Sequence, residues 1–522
     1  MEMQVSQTLR RALLLYRDEI AVLDGDVRMT YRQFGDRVQR LASALASLGI
    51  GDDDKVAILM LNSHRYLELF YGTFWAGGVV VPLNIRLAAP ELVAQINESE
   101  AKVLVVDDTF AMMLPALLPK LHDVRSVVFA ARGHTPEGLV NYEELIETAK
   151  PAPAAERGGD DVAGIFYTGG TTGRAKGVML THNNIMANAQ NGLIANRADF
   201  RDVYLHSAPM FHLADCSATF GLTLIGAKHA FIPFFEPGRM LEAIERYRVT
   251  LALLIPTMLN MVLNHADFGQ RDISCLRLIS YGASPIPQAL LRRALKELPC
   301  GFIQGYGMTE LSPLCAMLPP EDHVLDGTPE QTKRLRSAGI PIYTAEVRVV
   351  DENDQEVPFG QVGQICARGP MVMKGYWKQP EATAEALRGG WMHTGDAGYM
   401  EPDGYLYLVD RTKDMIVTGG ENVYSVEVEA ALYEHPAVLE AAVIGVPDDQ
   451  WGEAVLAVVY LKPGHKATED ELIHHCHGLI ANYKCPKRIE FVDRELPKSG
   501  AGKILKRDLR APYWEGQERL IH

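Results

Sequence analysis

Between residues 30 and 108 the chain repeats one alternation that few architectures accept. Phe34, Val38, Leu41, Leu45 and Leu48 step by four and three, which predicts an amphipathic helix with Thr30 as N-cap and Gly49 just past its end. Apolar, β-branched runs follow at 55 to 60 (KVAILM), 79 to 83 (VVVPL) and 102 to 108 (KVLVVDD), separated by helical stretches at 63 to 77 and near 90 to 98. Strands alternating with helices in this way predict an α/β fold, a largely parallel sheet covered by helices.

The length of 522 residues calls for two or three units. TAKPAPAAERGGDD at 148 to 161 reads as a surface connection. Beyond about residue 400 the texture changes. EPDGYLYLVDRTKD (401 to 414) suggests a hairpin leading into a charged hinge, and SVEVEAALYEH a helix capped by Ser425. AAVIGV and AVLAVVYL read as strands, and Thr468 with Glu471 has capping-box spacing. A compact α+β module of roughly 110 residues fits domain-size priors. The expected division is residues 1–410, a hinge at 411–413, and 414–522.

Composition excludes several roles. A formal charge of −15 is the wrong sign for a chain whose main partner is nucleic acid. Seven scattered cysteines without a CxxC pair point to a reducing compartment and no structural zinc. The run ALLL between Arg11 and Arg17 is too short for a signal peptide. VTLALLIPTMLNMVL at 249 to 263 is too short to span a bilayer and is broken by Pro256, so it reads as buried strand then helix. A cytoplasmic protein is expected, with peripheral membrane contact and a homodimer left open.

YTGGTTGRAKG at 167 to 177 can wrap phosphate oxygens. Glycine lets backbone N–H groups approach closely, the hydroxyls add donors, and Lys176 supplies charge. It is not a P-loop, because Gly173 is followed by Arg174 and Ala175 and no Ser or Thr follows Lys176. A flexible surface turn would carry the same composition.

Seven segments narrow the choice: FYTGGTTGRAKGV (166 to 178), APMFHLAD (208 to 215), QGYGMTE (304 to 310), GYWKQPEAT (375 to 383), WMHTGD (391 to 396), DRTKDMIVTGGENVYSVEVE (410 to 429) and PKSGAGKILKR (497 to 507). Their order and spacing resemble the adenylate-forming superfamily of acyl-CoA synthetases, luciferases and peptide-synthetase adenylation domains, over nearly the whole chain. The resemblance implies a large N-terminal domain of helix-covered mixed sheets and a small mobile C-terminal α+β domain. It also implies two reactions: a carboxylate attacks the α-phosphorus of ATP to give acyl-AMP and pyrophosphate, and a thiol then displaces AMP. The first brings an anion to a polyanion, so the protein has to screen like charges and orient the groups in line.

By that resemblance Thr168, Thr171, Thr172 and Lys176 hold the β- and γ-phosphates, with the backbone of Gly169, Gly170 and Gly173 contributing. Thr309 and Glu310 match the phosphate-side threonine and the Mg²⁺-associated glutamate, and Thr168 is a second metal-side candidate; hard oxygen ligands suit Mg²⁺ bridging phosphates. Tyr306 and Gly307 match the adenine side, with core burial the competing reading of Tyr306. Gly282, Ala283 and Ser284 match the stretch beside the purine and acyl wall, or form a tight turn. Asp396 is expected on the ribose hydroxyls, with Arg411 near ribose and phosphate. Lys503 matches the catalytic lysine between carboxylate and α-phosphate. At an effective dielectric near 20, unit charges about 4 Å apart interact by roughly 4 kcal/mol. Lys413 matches the hinge on which the small domain rotates, withdrawing Lys503 and presenting Gly419 and Gly420 to the pantetheine arm of coenzyme A.

His212 stands where amino-acid-activating members carry an aspartate, and an aromatic there borders the carboxylate in acyl- and aryl-CoA synthetases. No arginine lies within 206 to 235, so a second carboxylate would lack a buried cation. The expected substrate is an apolar monocarboxylate, a medium- to long-chain fatty acid first, with an aryl or other acid, or transfer to a carrier-protein thiol, as alternatives. HisHisCysHis at 474 to 477 reads as a solvent-facing helix rather than a metal site, since consecutive helical positions point apart. A nucleotide sensor without chemistry is the competing class, and retention of Lys503, Glu310 and Asp396 speaks against it.

Overall fold

The computed structural model describes residues 2–131, 133–168, 175–284, 286–411, 414–418, 421–448, 451–499 and 502–515. Thr30 accepts from the Gln33 N–H while Gln33 accepts from the Thr30 N–H, and this capping box starts the helix Tyr31–Ser47 where the pattern predicts it. Strands Lys55–Leu59, Val79–Pro82 and Ala101–Val106 pair in parallel, and helices His64–Trp75 and Ala89–Ser99 connect them.

Helix His64–Trp75 is buried at every position except Arg65. A helix buried on all sides needs a partner on each. It lies between two large sheets whose side chains meet in one core: Val56, Val80 and Val103 from an eight-stranded sheet, and Val22, Leu251 and Ile303 from a nine-stranded one. Helices Pro237–Tyr247, Pro256–Leu263 and Gln288–Glu297 cover the far face of the nine-stranded sheet, and Ala89–Ser99 packs on the far face of the other. The result is five alternating layers. Both large sheets are mixed. In the nine-stranded one, six parallel strands run from Ile20–Asp24 through Lys228–Phe231, Val203–His206, Leu251–Leu253 and Leu278–Gly282 to Gly301–Tyr306, with antiparallel strands at both edges.

A four-stranded antiparallel sheet ends with Leu406–Arg411, and Ile416–Thr418 belongs to the next, five-stranded sheet. Among the described residues, the core of that last sheet, including Ile416, Val428, Val443, Leu472 and Ile489, takes no side chain from residues before 416. The strand Leu406–Arg411 and the strand Ile416–Thr418 thus belong to different sheets, on either side of the stretch expected to be a hinge. Thr468 and Glu471 form their capping box. Ser425 does not cap its helix: Tyr424 is the N-cap and Ser425 opens the first turn, where its hydroxyl accepts from Lys506 Nζ at 2.6 Å. No helix among the described residues is long and apolar enough to cross a membrane.

Candidate active site

The nine-stranded sheet presents the C-terminal ends of its parallel strands along one edge, where an open α/β sheet places ligands. At Gly282 and Gly305 two neighbouring strands come together in register. A Cβ on Gly282 would lie 2.3 Å from the Gly305 carbonyl oxygen, so the close approach requires glycine. Ala283 follows with φ 63°, a left-handed conformation uncommon outside glycine, and Ser284 continues the loop. On the next strand Tyr306 is buried and its hydroxyl donates to Asp396 Oδ2 at 2.9 Å. Burial first, and the Asp396 charge second, push the Tyr306 phenol well up, so it keeps its proton. Asp396 pairs with Arg411 across the antiparallel strands Met392–Met400 and Leu406–Arg411. Tyr306, Asp396 and the Arg411 backbone thus converge from three strands.

A second group forms at the edge of the eight-stranded sheet. Strands Val162–Thr168 and Lys176–Thr181 are antiparallel with Thr168 opposite Lys176, and the Thr168 hydroxyl donates to the Lys176 carbonyl at 3.4 Å. Gly375–Tyr376 pairs with the other side of the Lys176 strand. Lys176 Nζ stands 4.6 Å from the Tyr376 ring centroid, a cation–π contact, and the Tyr376 hydroxyl donates to Glu310 Oε1 at 2.8 Å. Glu310 is buried, one residue after Thr309. The loop residues Gly169, Gly170, Thr171, Thr172 and Gly173 lie outside the described residues, as do Lys413, Gly419 and Gly420.

A cavity of about 160 Å³ opens between the sheet and helices His182–Asn196 and Leu213–Ile225. His212, Gly282, Ala283, Gly307 and Thr309 line it at or just past the C-terminal ends of the strands, the end taken as its mouth, and most of its other lining residues are apolar. His212 is the N-cap of the second helix, and its Nδ1 accepts from the Ala214 N–H at 3.2 Å. Burial pulls its pKa down to about 4, so the ring is neutral near pH 7 and carries its proton on Nε2. A neutral N–H donor at the mouth suits a carboxylate oxygen without fixing a full countercharge there.

The chain matches the family model "AMP-binding enzyme" over residues 9–377 and "AMP-binding enzyme C-terminal domain" over 427–503. It belongs to the AMP-binding enzyme family. A feruloyl-CoA synthase of an Amycolatopsis species is 40% identical over 497 residues, covering 94% of this chain and 96% of that one. A fatty acid–[acyl-carrier-protein] ligase, ScoC of Streptomyces coeruleorubidus, is 36% identical over 515 residues, covering 96% and 95%. Among solved structures, the anthranilate CoA ligase AuaEII in complex with anthranoyl-AMP superposes with a TM-score of 0.90 at 28% identity, covering 98% of each chain.

The C-terminal segment of this AMP-binding enzyme reaches the same sheet edge. Ser499 N–H donates to the Lys503 carbonyl at 2.7 Å, Lys503 N–H donates to Ser499 Oγ at 3.2 Å, and Lys498 bridges to Ile504, so Lys503 sits on a tight hairpin. Gly502, at φ 78°, lies against Ile255: an added Cβ would be 2.4 Å from Ile255 Cδ1. Ile255 is two residues past Leu253, which lines the cavity. Arg86 Nη1 donates to the Ser499 carbonyl at 3.3 Å. The Lys503 hairpin thus docks against Ile255, just past the strand Leu251–Leu253.

Among the described residues no group of three or more His, Cys, Asp or Glu could hold a metal. Mg²⁺ needs no such group, being usually held by one or two carboxylates together with substrate phosphates. Glu310, a buried carboxylate with one oxygen oriented by a phenol, is a suitable donor, and Thr168 stands on the same side. Tyr376 is the site residue that sequence reading passed over. It lies inside the quoted GYWKQPEAT, but its contacts depend on a strand pairing that no local pattern announces.

Proposed function

We propose that this acid–CoA ligase activates a compact, ring-sized monocarboxylic acid. The observation that carries the reading is the cavity: about 160 Å³ beside His212 is close to the roughly 150 Å³ of a protein cavity that accepts benzene. It is small for an extended long acyl chain, so it favours the aryl alternative over the fatty acid that sequence composition placed first.

In this reading the carboxylate enters at the mouth beside the His212 Nε2–H. One carboxylate oxygen attacks the α-phosphorus, the bond to the bridging oxygen breaks, and pyrophosphate leaves. Lys503 stands between nucleophile and α-phosphate, where it offsets the repulsion of two anions. Thr168 and Lys176 hold the departing phosphates, Tyr376 orients Glu310, and Asp396, itself held by Tyr306, receives the ribose. Mg²⁺, when bound beside Glu310, neutralises phosphate charge. Residues 414–522 then rotate about 411–413, Lys503 withdraws, and the coenzyme A thiol attacks the acyl carbon and expels AMP.

Pyrophosphate release and CoA-thioester formation, measured with benzoate, cinnamate, octanoate and palmitate, test this. The ring acids are expected to exceed palmitate in kcat/KM by about tenfold or more, since each methylene that finds no apolar room forfeits about 0.8 kcal/mol. Palmitate as the best substrate overturns the reading. Acyl-AMP formed from a ring acid with no CoA product would reassign the acceptor to a carrier-protein thiol.

A further inference from the structure

The inner part of the cavity is polar in one particular sense. Ser280 lines its sheet wall two residues inward of Gly282, roughly 7 Å from the mouth by strand rise. The Ser280 hydroxyl donates its proton to Asn196 Oδ1 at 3.1 Å. Asn196, in turn, gives one amide hydrogen to the Gly192 carbonyl at 2.8 Å and keeps the other. Tyr204 also lines the cavity. In register it stands level with Leu251, while Ser280 is level with Leu253, so Tyr204 is one side-chain step deeper.

The Tyr204 hydroxyl donates to Asp215 Oδ1 at 3.3 Å. Burial and Asp215 hold the phenol's pKa well up, so the proton stays in place. Asp215 Oδ2 is occupied by His206 Nδ1 at 2.6 Å, His206 Nε2 meets His229 Nδ1 at 3.1 Å, and His229 Nε2 meets the Thr223 hydroxyl at 3.0 Å. Every member of this chain beyond Tyr204 is fully buried. It occupies the other Asp215 oxygen, which fixes the acceptor that takes the Tyr204 proton. Two cavity hydroxyls have therefore committed their hydrogens to the protein. What they retain is acceptor lone pairs. Asn196 adds one spare donor, and none of the described lining residues is Lys or Arg.

We propose that the inner cavity is a hydroxyl-reading site, in which Ser280, with Tyr204 behind it, accepts from a hydroxyl at the end of the substrate remote from its carboxyl group while Asn196 donates to that hydroxyl. A hydroxyl gives its one hydrogen to Ser280 and offers a lone pair to Asn196, so it satisfies both groups at once; a methyl in its place leaves them unpaired, which is the stronger basis for discrimination. A second carboxylate meets two acceptors and no cation, and is rejected. The inference rests on the ring-sized acid reading above and adds the polarity that the ring carries.

The test compares kcat/KM for 4-hydroxycinnamate, 4-methylcinnamate and 4-carboxycinnamate, measured by pyrophosphate release. The methyl acid matches the hydroxyl acid in size. The native enzyme is expected to prefer the hydroxyl acid over the methyl acid by about tenfold or more, and to use the carboxyl acid least. Ser280→Ala is expected to bring the hydroxyl-to-methyl ratio to within about twofold of unity, and Tyr204→Phe to lower it by a smaller factor. Equal use of the hydroxyl and methyl acids by the native enzyme, or a ratio unchanged in Ser280→Ala, overturns the hydroxyl-reading site and leaves the ring-acid ligase standing. Pyrophosphate release with none of these acids overturns both.

Discussion

Lys176 and Lys503, assigned to one nucleotide in the proposed mechanism, are held by opposite structural means. Lys176 stands on a strand paired on both sides, with the Tyr376 ring against its ammonium group. It is built into the sheet and core of the large unit. Lys503 stands on a hairpin bonded to itself, on a unit with its own hydrophobic core. That hairpin meets the large unit through the Arg86 contact and the packing of Gly502 on Ile255. A cation held by a sheet cannot leave without unfolding the site, whereas one held by a few docking contacts can. In the proposed mechanism the leaving phosphates need charge in a fixed place, and the reacting carboxylate needs it only until the adenylate exists.

The sharpest way to break this comparison is Lys503→Ala. Carboxylate-dependent ATP–pyrophosphate exchange is expected to fall about a hundredfold to a thousandfold, in the range seen when one donor to developing charge is lost. Thioester formation from supplied acyl-AMP is expected to change by no more than about threefold. Equal losses in both half-reactions would show that Lys503 is as permanent a part of the site as Lys176. Tyr376→Leu probes the fixed side. It removes both the ring beside Lys176 and the donor to Glu310, and about a tenfold loss of exchange is expected, from one charge-assisted hydrogen bond and one cation–π contact. An unchanged exchange rate would mean that Lys176 and Glu310 need no bridge.

What was legible in the sequence divides along the same line as the two lysines. The Thr30 cap, the parallel alternation from 55 to 106 and the Thr468 capping box are local features, and each stands where its pattern predicts. The glycine-rich and PKSGAGK segments are placed on one nucleotide by family motifs alone, and residues 169–174 and 500–501 lie outside the described residues. The Tyr376–Glu310 bond joins residues 66 positions apart, from the strand Gly375–Tyr376 to the turn Thr309–Leu311, and periodicity does not report it. Ser425 has the composition of an N-cap, yet Lys506, which also bonds Glu429, engages its hydroxyl, so a contact between distant segments displaces a local preference. Apolar composition around 213 to 235 suggested room for a long acyl chain. Composition does not report that Asn196, held by a Ser280 hydroxyl 84 positions away, also lines the cavity.

Arg86→Ala is the mildest test, and it addresses docking alone. Arg86 and Ser499 meet at 3.3 Å in an exposed setting, where water competes for both groups, so the contact contributes about 0.5 kcal/mol. Its loss shifts the docking equilibrium of the hairpin without altering Lys503 itself. Adenylation is expected to slow by about twofold, and the effect to shrink as the acid and ATP approach saturation, because bound substrates favour the docked arrangement by mass action. Thioester formation from supplied acyl-AMP is expected to be affected less than adenylation, since in the proposed mechanism the hairpin leaves for that step. If Arg86→Ala instead slows both steps equally and by tenfold or more, the docking contact is not marginal, and Lys503 would have to be regarded as fixed in the manner of Lys176.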